Sequence, residues 1–298
     1  MSKQQEPLVK IEAVNDIVRS LVAVRITPRQ PCGWRNASSA AREYEQEKEV
    51  EGVAISLQYI PDDVMGPIRE NASRITTLRD RRTLLWDYGG WHCVTAEGYM
   101  PLMDELAPLV EERKRLEHSL FTSKYDEVKA ATILLLKKMG HHFHEERFPP
   151  KDGLPERFAV VCESRPIHAA EDVRIQGLSE AAQETIRKQY EQQIAGQVGD
   201  CVEQILGRLR FMCESMEGRV QDKKQKRKKY ASFIQSVGDT CNDLLKLNLI
   251  KSDRLEAKIK EVKAALTQFT PEAIREVAWT RKVVEKQART LLDELNSL

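Results

Sequence analysis

The sequence predicts an α+β fold that is predominantly α: a small mixed N-terminal domain, residues 1–176, followed by a bundle or coiled hairpin of long helices, residues 177–298. Three observations carry this. Apolar side chains recur at Ala182, Ile186, Tyr190, Ile194, Val198, Val202, Ile205, Leu209, Met212, Met216 and Val220, steps of three and four that fall on one helical face. The runs that read as strands, Leu21 to Ile26, Val53 to Ile60 and Arg157 to Cys162, all precede that stripe. Further amphipathic segments follow it to the C-terminus.

Taken in order, Leu8, Ile11, Val14, Ile17 and Val18 share helical spacing, and Leu21 to Ile26 is a strand rich in β-branched residues, stopped by Thr27-Pro28. Asn36 to Glu51 is a polar helix capped by Asn36 or Ser38. Val53 to Ile60 is a short strand, and Pro61-Asp62-Asp63 begins a helix through Ile68, Ile75 and Leu78 whose start Gly66-Pro67 makes irregular. Leu84 to Val94 gathers Trp86, Tyr88 and Trp91 around Gly89 and Gly90. That pattern suits a close backbone turn against a packed aromatic surface, with a functional surface as the lesser reading.

Tyr99 to Phe121, started by Pro101, and Tyr125 to Met139, closed by Gly140, read as an antiparallel helix pair. Arg157 to Cys162 is a strand ended by Pro166, and Gly177 releases the chain into the long helix. From Leu178 to Lys229 the pattern carries a helix of more than 40 residues without proline, a rod of at least roughly 60 Å at about 1.5 Å per residue. Beyond it come a helix with Phe233, Ile234, Val237, Cys241, Leu244 and Leu245, and a helix capped by Ser252 or Asp253. Thr270-Pro271-Glu272 then starts a last helix carrying Ile274, Val277, Val284, Ala288, Leu291 and Leu295.

The chain of 298 residues is long enough for a real core, and 47 basic against 46 acidic residues excludes a globally cationic nucleic-acid coat. The cysteines are scattered without a C-x-x-C pair, the N-terminus lacks the apolar core of a signal peptide, and no window is apolar enough to span a membrane. A cytoplasmic protein with reduced thiols is the expectation.

No Walker loop, G-x-G-x-x-G, H-E-x-x-H, G-x-S-x-G or D-x-S-x-S pattern occurs, so no catalytic residue or cofactor is expected. The one cluster resembling a metal site is His141, His142, His144, Glu145 and Glu146; such side chains suit a divalent cation, but their position after a helix end equally suits imidazoles facing exposed carbonyls. Met212, Met216, Cys201 and Cys213 follow the apolar stripe and read as core filling. The basic run Lys223, Lys224, Lys226, Arg227, Lys228 and Lys229 is a contact for phosphates or an acidic partner, or the solvated tip of a helical hairpin.

LVAVRITPR near the N-terminus, YGGWHCVTAEGYMPLMDEL, the helix near SKYDEV, PP-x-DGLPERFAVV and the helical array from TPEAIR follow one another in an order that resembles a family of phage and integrative-element proteins. Members of that family are encoded beside a MoxR-type AAA+ ATPase and a von Willebrand A domain protein. The resemblance implies a non-enzymatic interaction or scaffold protein, an adaptor or assembly component of a MoxR-like ATPase system, self-associating or docked on the ATPase. A nucleic-acid-binding protein using residues 223–229 and a metal-dependent enzyme at residues 141–146 are the alternatives.

Overall fold

The computed structural model describes residues 14–29, 34–36, 38–54, 56–58, 60–142, 144–148, 150–221 and 227–297. It is 74% helical with a small antiparallel sheet, so the fold is α+β and mostly α. In chain order the elements are α1 (Val14–Arg19), β1 (Leu21–Pro28), β2 (Trp34–Asn36), α2 (Ser38–Lys48), β3 (Ser56–Gln58), α3 (Asp62–Arg82), β4 (Leu84–Leu85) and β5 (His92–Thr95). Then follow α4 (Ala96–Leu116), α5 (Tyr125–Leu136), α6 (Leu154–Phe158), β6 (Val160–Pro166), α7 (Glu180–Gln221), α8 (Arg227–Lys246), α9 (Asp253–Thr267), α10 (Pro271–Glu276) and α11 (Ala278–Asn296). The sheet order is β4-β5-β1-β6, with β2 and β3 forming a separate antiparallel pair.

The chain divides into two compact units that interleave in sequence: residues 1–25, 80–101 and 164–298 form one, residues 26–79 and 102–163 the other. This division does not coincide with the boundary expected between residues 176 and 177. The reason lies in β4 and β5, which precede that boundary by some eighty residues yet bury their apolar side chains in one core with the late helices.

In the first unit, β1 pairs with β5 from Leu21↔Thr95 to Val24↔His92, and β4 adds Leu84↔Cys93. This places Leu21, Ala23, Leu84 and Cys93 in the same core as the inner face of α7. Every stripe residue from Ile194 to Val220 is buried, and α7 lies chiefly along α11, with α9 packed on α8 and α11. At the outer edge of β4, the Gln204 side chain of α7 accepts from the Leu85 N–H and donates to the Leu85 carbonyl, both at 2.8 Å, where an adjacent strand would otherwise bond. Gly177 (φ +86°) turns the chain ahead of α7, a conformation open to glycine without strain.

Ser252 and Thr270 cap α9 and α10, accepting from the N–H groups of Leu255 and Ala273. The last helix is broken rather than continuous. Val277 is extended (φ −100°, ψ 111°), closes α10 by donating its N–H to the Ala273 carbonyl, and leads directly into α11. The break turns Val277 outward and puts Thr280 at the head of the buried row Val284, Ala288, Leu291 and Leu295.

The second unit has a smaller core of Ile60, Val64, Met65, Ile68, Phe121, Tyr125, Leu154 and Phe158. Phe121 meets Tyr125 edge-on at 5.2 Å and Phe158 at 5.0 Å. Arg113, 1% exposed, donates to the carbonyls of Phe158 (3.0 Å), Ile68 and Arg29, tying three separate segments together. Burial pushes its pKa down to about 10, so it stays charged at neutral pH.

Several expected boundaries move. The first helix is described only from Val14; Leu8 and Ile11 lie outside the described residues. α3 begins at Asp62, as expected from Pro61-Asp62-Asp63, and holds Pro67 within it, whereas α4 begins at Ala96 and so takes in Pro101. A π-helical turn at Glu117–Thr122 ends α4, and α5 gives way after Leu136 to a 3-10 stretch, so Gly140 closes no α-helix. Leu134 and Leu135 of α5 face solvent. Arg157 and Phe158 belong to α6, and the strand starts at Val160 because Phe158 turns into the aromatic core.

Candidate functional site

The basic run falls partly within the described residues. Lys223, Lys224 and Lys226 lie outside them, while Arg227, Lys228 and Lys229 open α8, which ends the single helix expected to continue to Lys229. Just before the run, the Arg219 guanidinium lies 4.5 Å over the Phe233 ring, joining the end of α7 to α8 within the first unit.

Between α7 and α8 the helices leave a cavity of about 410 Å³ lined by Gly207, Arg208, Phe211, Met212, Phe233 and Val237, among others. The stripe of α7 is turned toward α11 and α9, so Phe211 falls off it and is 67% exposed. One turn earlier, Gly207 adds to the opening: a Cβ there would meet nothing within 4 Å. At the inner wall Arg208 donates to the Thr83 carbonyl at 2.9 Å, and burial lowers its pKa against the opposing pull of Asp80 and Asp243. Asp243 in turn binds Arg81 (3.0 Å) and Arg82. An apolar groove with the Arg208 side chain in its wall can take an apolar side chain from another molecule together with an acidic neighbour. Sequence pattern alone passed over Phe211, since one aromatic off the stripe gives no periodic signal.

The described side chains of the histidine cluster do not converge on a point. His142 is 9% exposed and lies between two residues of α2, its Nδ1 2.8 Å from Ser39 Oγ and its Nε2 2.8 Å from Glu43 Oε2. His144 Nδ1 meets Glu146 Oε1 at 3.1 Å, and Glu145 lies 3.6 Å from Lys129. The His141 side chain is outside the described residues. Among the described residues no three His, Cys, Asp or Glu side chains are grouped to hold a metal ion.

The aromatic segment at residues 84–94 forms the β4–β5 turn. Asp87 Oδ1 accepts from the N–H groups of Gly89 (2.9 Å) and Trp91 (3.2 Å), and Gly90 takes φ +78°. Trp86 is buried in the core, while Trp91 carries the Arg165 guanidinium at 4.1 Å and that of Arg25 at 5.1 Å. Packing accounts for this corner. Cys93 and Cys201 bring their sulfurs to 3.6 Å in the core, and the hydrogen bond between them with burial holds the Cys93 thiol protonated. Cys213 and Cys241 are likewise pushed up by burial, to about 12 and about 11.

Comparison with known proteins finds no matching family model, no matching curated protein and no matching solved structure. Among the described residues no helix is long and apolar enough to cross a membrane.

Proposed function

We propose that this chain is an interaction or scaffold protein, an adaptor or assembly component of a MoxR-like ATPase system in a phage or mobile element. The observation that carries the docking part is the α7–α8 groove, where Phe211 is 67% exposed beside a cavity of about 410 Å³. Apolar aromatics left in solvent beside a concave, partly cationic wall are the usual anchors of protein interfaces. The resemblance in segment order supplies the ATPase as the partner to try first.

The test is co-purification with MoxR-type AAA+ ATPases from the chain's native gene neighbourhood, followed by titration of Phe211→Asp. An anchor of this size carries about 2 kcal/mol or more of binding, so the variant is expected to raise Kd at least 30-fold while its thermal melting stays within a degree or two of the parent. Absence of ATPase binding by the parent overturns the adaptor reading. Parent and variant binding alike would remove the groove from it.

A further inference from the structure

We infer that Ser39, His142 and Glu43 form a hydrogen-bonded nucleophile site able to take an acyl group from a carboxylic ester. The inference is independent of the docking reading and concerns only the second unit. Ser39 and Glu43 are four residues apart on α2, so they lie on one face separated by roughly 6 Å along the axis. That separation suits the two nitrogens of an imidazole set between them, and His142 is there with both distances at 2.8 Å. The pattern is nucleophile to base and base to carboxylate, the arrangement by which such sites are recognised regardless of chain order. No sequence motif reveals it, because its base stands 103 residues from its nucleophile.

The positions suit the roles. His142 is 9% exposed, which fixes the ring between its partners, whereas Ser39 is exposed and reachable. With the Nε2–H donated to Glu43, Nδ1 is left as the acceptor of the Ser39 proton. Ser39 also stands in the first turn of α2, where the backbone N–H groups of Ser39 and Ala40 have no intrahelical acceptor and the helix dipole favours negative charge. A carbonyl oxygen of an ester bound there would meet those donors as it gains charge.

In the step proposed, Ser39 Oγ bonds to the carbonyl carbon and its proton passes to His142 Nδ1, while the carbonyl electron pair moves onto oxygen. Collapse breaks the ester C–O bond, and the leaving alcohol takes the proton from His142. Water repeats the sequence on the acyl-serine, giving the carboxylic acid and restoring Ser39. Ester and water become acid and alcohol with no other reactant. Glu43 is the positioning residue: it fixes the tautomer and stabilises the imidazolium.

The full chain is treated with a fluorophosphonate probe and, separately, with p-nitrophenyl acetate, the adduct being located by peptide mass spectrometry. The expected result is a single adduct on Ser39, no adduct and background hydrolysis in Ser39→Ala, a rate at least 100-fold lower in His142→Gln, and for Glu43→Gln a lower kcat at unchanged KM. Because His142→Gln can disturb folding, Ser39→Cys gives a second measurement. The thiol introduced by that substitution, paired with an imidazole, is expected to react with iodoacetamide at pH 6 at least 10-fold faster than Cys162, an exposed cysteine of the same unit. A Ser39 that stays unlabelled, a His142→Gln variant labelled at the parental rate, or an introduced thiol no faster than Cys162 overturns the proposal.

Discussion

Replacing Arg113 by Met is expected to destabilise the second unit by about 3–5 kcal/mol, from hydrogen bonds that are lost rather than from volume. The guanidinium, 1% exposed, serves the carbonyls of Arg29, Ile68 and Phe158. Ile68 lies inside α3, so its carbonyl keeps the helical bond from the N–H four residues on and loses little. The Arg29 and Phe158 carbonyls have no such helical replacement from α3, and an orphaned buried acceptor costs about 1–3 kcal/mol. The cation stacked 5.8 Å from the Phe158 ring adds about 0.5–1 kcal/mol. Met fills much of the space left by the arginine stem, which keeps the cavity contribution small. Native-state hydrogen exchange locates the effect: amides of α3 near Ile68 and Ile75 should lose about 3–5 kcal/mol of protection, roughly two to four orders of magnitude in rate. A change below about 1 kcal/mol at those amides would refute the account, since it would mean that the carbonyls find water or other donors.

In the first unit, Asp243→Ala takes from Arg81 and Arg82 a carboxylate that is 9% exposed, and a loss of about 3 kcal/mol is expected, read as a lower urea midpoint at unchanged slope. Ser252→Ala and Thr270→Ala each remove a cap acceptor and should cost about 1 kcal/mol; a calorimetric melting temperature lowered by less than a degree in both would deny the caps that role. Iodoacetamide on the native chain should modify Cys162 before Cys93, Cys201, Cys213 and Cys241, because of these five only the first is exposed. The thiols raised to about 12 and about 11 stay protonated in the fold while unfolded thiols ionise near pH 9, so their contribution to stability is intact below about pH 9 and is lost as pH rises through 9 toward 12. A urea midpoint that is flat from pH 8.5 to 10.5 would contradict this.

How far the sequence reads through to the structure depends on the distance over which each signal acts. The caps at Ser252 and Thr270, the positive φ of Gly177 and the buried stripe from Ile194 to Val220 arise from contacts within a turn or two, and each is legible from spacing and residue type. The break at Val277 was hidden because valine at that position continues the apolar spacing; only packing shows that Thr280 takes the buried place. The division into units was hidden for a similar reason, since nothing in β4 or β5 announces that they join α7 across more than a hundred residues. The His142 cluster drew attention as a run of imidazoles, but its partners Ser39 and Glu43 stand on a helix that looks like an ordinary polar surface. Phe211 carried no periodic signal at all.

The interleaving of the two units has a consequence for synthesis. The first unit begins with α1 and the pairing strand β1, yet its core is completed only when Ala288, Leu291 and Leu295 of α11 arrive. A ribosome adding about 5–20 residues per second needs roughly 10–40 s to travel from Cys93 to Leu295. The sheet residues Leu21, Ala23 and Cys93 wait through that interval for the helices that cover them. The second unit, whose residues end at 163, has all its parts much earlier. Long sequence separations of this kind slow folding, and they set an order in which the inserted unit forms first and the unit that encloses it in sequence closes later. A truncation that removes α11 should accordingly leave the smaller core of Phe121 and Phe158 assembled while the larger one stays open to chaperones and proteases.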